Sequence, residues 1–208
     1  MAAYRRSLQG RYRYQGEAIM NSREDFTNYF LKEPCPHPGQ KVVIGQYAVN
    51  AAALIDKVRW DISSIDILVA LAEHVPASIW SEGFLGLIFA YPLSDWGGVK
   101  GPWIKFLENI WQEVANGKQV LAFCEGGHGR TGTFLASLIA IVEKPEDPIA
   151  TMRERYCQDA VETIYQAEAI FALVNQEIPE HYREELLDST TISAMLEYWK
   201  TLKSKEKI

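Results

Sequence analysis

Between Gln119 and Val142 three unlike stretches follow one another, with only Gly132 between the second and the third. They are the apolar run Gln119-Val120-Leu121-Ala122-Phe123, the loop Cys124-Glu125-Gly126-Gly127-His128-Gly129-Arg130-Thr131, and Thr133 to Val142, which is apolar nearly all round. No other part of the chain restricts the fold as much. A short apolar run after the turn signal Asn116-Gly117 reads as a buried strand, and a stretch without a polar face reads as a helix enclosed on every side until Pro145 stops it. A buried strand that passes through a tight loop into a buried helix calls for a layered α/β architecture, with that loop at the carboxyl end of the strand.

The residue types inside the loop suit an oxyanion. Cys124 stands six positions before Arg130, and the three glycines between them let backbone N–H groups converge on a phosphate and approach it closely. The start of the following helix adds partial positive charge. Arg130 closes the ring with a planar fork that grips two phosphate oxygens at once, which a lysine cannot do. The expected phosphate-binding set is thus Cys124, Glu125, Gly126, Gly127, His128, Gly129 and Arg130. Cys124 would lie beneath the phosphorus as nucleophile. Thiolates are the attacking form of cysteine, and helix N-termini and arginines are the surroundings in which they are found. Thr131 is placed to donate its hydroxyl to that sulfur and ease its departure.

Cys124, Gly127, Arg130 and Thr131 resemble the signature of the cysteine-dependent protein tyrosine phosphatase superfamily, commonly His-Cys-x-x-Gly-x-x-Arg followed by Ser or Thr. Phe123 stands where that family usually has histidine. The resemblance implies hydrolysis of phosphomonoesters through a phosphocysteine, with no metal or cofactor. It also implies a general acid on a mobile loop, since expelling a phenolate requires a proton. Here the strand-like run Leu85 to Tyr91 leads into Pro92-Leu93-Ser94-Asp95-Trp96-Gly97-Gly98. Asp95 is the expected acid, with Trp96 packing the loop over the site and Gly97 and Gly98 as its hinge; the plainer reading is an aspartate in a surface turn. Val161-Glu162-Thr163-Ile164-Tyr165-Gln166 is similar to the family's apolar-Gln-Thr-x-x-Gln stretch, in which glutamines position the hydrolytic water. Gln166 matches the second glutamine, and Glu162 replaces the first. A carboxylate there repels phosphate unless it is turned away or protonated, so water positioning falls to Gln166 and Glu162 or to Asp95 alone. An ordinary amphipathic helix is the competing reading.

Substrate preference follows from charge. His128 can lend partial positive charge near neutrality or serve as a rim residue, and Glu125 disfavours a polyanion. A phosphorylated protein, with phosphotyrosine first and dual specificity admitted by a shallow site, is therefore the leading substrate. An inositol lipid, an RNA 5′-phosphate or non-catalytic phosphate binding remain as alternatives.

At 208 residues and 48% apolar content the chain can bury one sizeable core. The reading is an N-terminal extension over residues 1–40, a phosphatase domain over 41–178, and a helical extension over 179–208 packed on the same domain. No apolar run is long enough for a membrane span and no secretory signal is recognisable, so a cytoplasmic, reducing location is expected. A net charge of −6 argues against general nucleic-acid binding. The three cysteines show no metal-ligand spacing, and Cys35-Pro36-His37 reads as an isolated, proline-locked loop. Tyr4, Arg5, Arg6, Arg11, Tyr12, Arg13 and Tyr14 make a basic, aromatic start suited to an acidic partner or to a frayed end. Lys41 to Gly45 and Asp66 to Leu71 read as further strands. Trp103, Phe106, Leu107, Ile110, Trp111 and Val114 share one helical face, Asp147-Pro148 opens another helix, and Ile192, Met195, Leu196 and Trp199 line a last one, packed on the body or against a partner. The expected fold is α/β, a central, mostly parallel sheet of four or five strands flanked by helices on both faces, as in the protein tyrosine phosphatases. No oligomeric state follows from these residues.

Overall fold

Period-two alternation along the strands sorts the core onto two faces of one sheet. The computed structural model describes residues 35–81 and 83–205; the basic, aromatic start lies outside them. Strands β1 (Pro38–Ile44), β2 (Tyr47–Ala53), β3 (Ile67–Ala70), β4 (Leu87–Ala90) and β5 (Val120–Cys124) form a five-stranded sheet in the order β1-β2-β5-β3-β4. Only β1 and β2 are antiparallel; β2, β3 and β4 join the sheet in parallel. Val120, Ala122 and Cys124 of β5 face one core together with Val49 and Ala51 of β2 and Ile67 and Val69 of β3. Leu121 and Phe123 face the other, with Leu68, Ala70, Leu54 and Ile79.

The first face is covered by helices: α2 (Trp103–Ala115), α3 (Gly129–Val142), α4 (Pro148–Arg155), α5 (Ile164–Ala172) and α6 (Glu180–Glu185), before α7 (Ser189–Lys205) closes the chain. The second face is covered by a 3₁₀ turn at Leu54–Arg59, the single-turn helix α1 (Ser78–Ser81) and the side chains of Trp60, Ile62 and Ile65. Helix α3 lies in the middle, in contact with α2, α4 and α5. This is why its sequence has no polar face: residues Gly129 to Ala140 are all buried.

Local signals set several boundaries. Asp147 caps α4 by accepting from the Ala150 N–H at 2.8 Å, with Pro148 next. Thr163 and Gln166 form a capping box that starts α5. Helix α2 buries Trp103, Leu107, Ile110 and Val114 as the periodicity predicts. In α7, Met195 is fully buried but Leu196 is 43% exposed, so the last apolar face is only partly used by the body. Strand β1 starts at Pro38, earlier than Lys41. Strand β2 carries no sequence signal, because Tyr-Ala-Val-Asn-Ala-Ala-Ala is poor in β-branched residues. Its position between β1 and β5 makes it a strand.

Candidate active site

The loop after β5 is shaped by where its carbonyls go. The Glu125 carbonyl accepts from the Ile55 N–H at 3.2 Å, and that of His128 from the Gly132 N–H at 2.8 Å. The Gly127 carbonyl accepts from the Tyr156 hydroxyl at 2.7 Å, and that of Gly129 from the Thr133 hydroxyl at 2.7 Å. In a planar trans peptide the N–H points opposite to the C=O. Fixing these four carbonyls on surrounding elements therefore turns the N–H groups of Gly126, His128, Gly129 and Arg130 to the other side, the arrangement an anion needs. Burial pushes the Tyr156 phenol well above its ordinary range, which keeps it a donor. Nothing in the sequence marked Tyr156 for this.

One glycine of the loop is obligatory, and a second sits under the ends of movable side chains. Gly127 holds φ at +77°, and a Cβ there would meet His37, Ala53 and Tyr156 at 3.0 to 3.1 Å. At Gly129 a Cβ would collide with the Glu162 carboxyl. Gly126 departs from expectation: its φ is not left-handed and a Cβ would meet nothing within 4 Å, so the loop tolerates a side chain there.

Four of the sequence-predicted residues converge. Thr131 donates its hydroxyl to Cys124 Sγ at 3.1 Å. Arg130, 5% exposed, donates from Nη1 to the Leu93 carbonyl at 3.4 Å and meets Asp95 Oδ1 through Nη2 at 3.1 Å. Its Nε is buried without a hydrogen-bond partner among the described residues, a donor left for an incoming oxyanion. The side chain of Asp95 is 54% exposed, so it sits at the mouth while Cys124, 2% exposed, lies at the floor.

The left-handed residue of the Asp95 loop lies just before the glycine pair. Trp96 itself takes the left-handed φ of +56°, a conformation costly for a bulky residue. Gly97 and Gly98 instead allow close packing, on Ser94 and on the Tyr165 backbone respectively.

Glu162 and Gln166 reach the same loop from the start of α5. Gln166 is 1% exposed; its carbonyl oxygen accepts from the Glu162 N–H at 2.8 Å, and its Nε2 is buried with no hydrogen-bond partner among the described residues. Its amide N–H₂ is thus the only end left for a water. Burial pushes the Glu162 carboxyl up to about 7; the Asp95 charge adds to this, while Arg130 and a hydrogen bond from the Gly129 N–H hold it down. Glu162 is therefore half-protonated near neutrality and already engages one of the loop donors.

Phe123 explains its own departure from histidine. It is fully buried on the opposite face of the sheet from Cys124, against Trp60 at 5.1 Å between ring centroids. Its side chain cannot reach the bowl.

One expectation is overturned. Cys35-Pro36-His37 is not isolated: it lies beside His128 and Cys157, with ligand-capable atoms of all four residues within 4.8 Å of one another. The spacing along the chain hid this because the residues come from three distant segments. The His37 carbonyl accepts from the Ala53 N–H at 2.8 Å and its N–H donates to Asp56 at 2.7 Å, which fixes the segment on β2 and the 3₁₀ turn.

No family model matches the sequence. Among curated proteins, two uncharacterised proteins of Methanocaldococcus jannaschii are similar, one 45% identical over 65 residues and the other 49% over 57. These stretches cover 31% and 27% of this chain, and 44% and 35% of the relatives, so the chain spans under half the length of the curated relatives it matches. Among solved structures, Tk-PTP in its active form superposes with a TM-score of 0.53 at 23% identity, covering 66% of this chain and 98% of that one. Kinase associated phosphatase, with its catalytic-site cysteine substituted by serine, gives 0.53 at 15% identity over 70% of this chain and 100% of that one. The mostly parallel sheet, the loop after its central strand and the buried helix behind that loop make this the fold of the cysteine-dependent protein tyrosine phosphatases.

Proposed function

We propose that this protein hydrolyses phosphomonoesters through a phosphocysteine, with phosphotyrosine in proteins as the leading substrate. The observation that carries the reading is convergence: Thr131 on Cys124 Sγ, and Asp95 on Arg130, both at 3.1 Å, on a loop whose carbonyls are tied away from its centre. In the first step Cys124 attacks the phosphorus in line, Arg130 and the loop amides stabilise the equatorial oxygens, and Asp95 protonates the leaving oxygen. In the second, Asp95 as base, with the Gln166 amide holding the water, releases phosphate while Thr131 stabilises the departing sulfur. The Asp95–Arg130 pair must part when the oxyanion takes the guanidinium. Two carboxyls near the loop, Glu125 and Glu162, favour a single phosphate over a multiply phosphorylated ligand.

The test is hydrolysis of aryl phosphates with graded leaving groups by the wild type and by the Cys124→Ser and Asp95→Ala variants. No turnover is expected from the serine variant. The alanine variant should lose about 10²–10⁴-fold in kcat, most with the poorest leaving group. Turnover that survives loss of the sulfur refutes the covalent route, and an unchanged Asp95→Ala rate removes Asp95 as the acid.

A further inference from the structure

We propose that Cys35, His37, His128 and Cys157 form a structural zinc site that ties the entrance of β1 and the end of α4 to the phosphate loop. The four candidate ligand atoms lie within 4.8 Å of one another, and His37 and Cys157 are buried. A tetrahedral centre with Zn–S bonds of about 2.3 Å and Zn–N bonds of about 2.0 Å separates two sulfurs by about 3.8 Å and a sulfur from a nitrogen by about 3.5 Å. Here the sulfurs of Cys35 and Cys157 are 3.7 Å apart, and Cys35 Sγ lies 3.4 Å from His128 Nε2. Two edges of the cluster already match those of a zinc sphere, and the others close to it by shifts of about an ångström.

A second observation points to a ligand independently. His37 is 2% exposed, and its Nε2 is buried with no hydrogen-bond partner among the described residues. The other ring nitrogen, Nδ1, is 2.7 Å from Gln40 Oε1. An amide oxygen only accepts, so Nδ1 carries the proton and Nε2 presents a bare lone pair. That is how metal-binding histidines are oriented by an outer hydrogen bond. Tyr156 supports the same ring, 4.8 Å away between centroids, and Asp159 Oδ2 lies 3.7 Å from Cys35 Sγ.

A disulfide between Cys35 and Cys157 accounts for less. It requires the sulfurs to close from 3.7 Å to about 2.05 Å, and it leaves the buried His37 nitrogen unsatisfied. Two thiolates and two neutral imidazoles select zinc over the harder cations. On binding, the two thiol protons leave to solvent and the site is neutral overall. All four positions are filled by protein, so the ion is closed to substrate and acts as a brace. Its lever is His128, which belongs to the phosphate loop.

The test starts from protein expressed with zinc and purified without chelator. Elemental analysis should find about one zinc per chain in the wild type and equally in the Cys124→Ser variant, and less than about a tenth of that in Cys35→Ala and Cys157→Ala. Wild type stripped of metal and loaded with cobalt(II) should show thiolate-to-cobalt charge-transfer and tetrahedral d–d absorption, a readout that needs no catalysis and no variant. Stripped wild type should lose thermal stability and regain it with zinc. Wild type that holds no zinc and takes up no cobalt, a Cys157→Ala variant that keeps its zinc, loss of the ion in Cys124→Ser, or a Cys35–Cys157 disulfide in the protein as purified would each overturn the proposal.

Discussion

Replacing Glu162 by glutamine isolates a charge that the phosphate loop holds against itself. The carboxyl lies at the Gly129 N–H and is pushed up to about 7 by burial and by Asp95. When ionised, it sets a full negative charge against the substrate dianion; when protonated, it still accepts from the Gly129 N–H but the charge is gone. At about pH 8 about 90% of molecules carry the charge. Glutamine has the same shape and never ionises. The ratio of kcat/KM for Glu162→Gln over wild type, measured with one aryl phosphate, should therefore be near unity at about pH 5.5 and rise about tenfold by about pH 8. Taking the ratio cancels the ionisation of the substrate. Stability should move in the same direction. The native carboxyl titrates above its ordinary 4.5, so the folded state holds a proton that the unfolded state releases, and stability falls as pH rises from 4.5 to about 7. Glu162→Gln should gain up to about 3 kcal/mol over wild type above that window and nothing below it. A ratio flat with pH, or a stability difference that does not grow, refutes the assignment of Glu162 as a partly buried, self-opposing carboxyl.

Gly127→Ala forces a Cβ into a left-handed residue hemmed by His37, Ala53 and Tyr156. It should cost about 1–3 kcal/mol in denaturant unfolding, together with most of the activity. Thr131→Ala removes the hydroxyl on Cys124 Sγ. It should slow kcat by about tenfold or more, with a larger burst of phenol as the phosphocysteine accumulates. Phe123→His should not speed the enzyme: it buries an imidazole against Trp60 on the far face of the sheet and should destabilise by about 2–4 kcal/mol on thermal unfolding.

What could be read in advance was whatever one contiguous segment carries. The strand, loop and helix from Gln119 to Val142, the amphipathic face of Trp103–Ala115 and the Asp147 cap all state their structure locally. The position of Asp95 followed from resemblance rather than from any physical signal in the loop. Strand β2 was silent, since three alanines in a row say nothing until β1 and β5 flank them. Tyr156, the partner of the Gly127 carbonyl, and the cluster around His37 were equally silent, because each depends on segments more than a hundred or nearly thirty positions apart meeting at one loop. The resemblance to a Gln-Thr-x-x-Gln stretch singled out Gln166, and the capping box it forms with Thr163 emerged only with the structure. That the same glutamine also turns its amide toward the site was not legible either.

Strand β5 is flanked on both sides by strands from much earlier in the chain: Ala53 pairs with Cys124, and Ile67 with Val120. Parallel neighbours so remote in sequence must first pay the entropy of closing large loops before any ladder rewards them. The sulfur therefore reaches its working surroundings only once residues from both halves of the chain have docked. On the proposed function, a nascent chain that ends before Arg130 should hold no phosphate, and an excised fragment of either half should turn over no aryl phosphate.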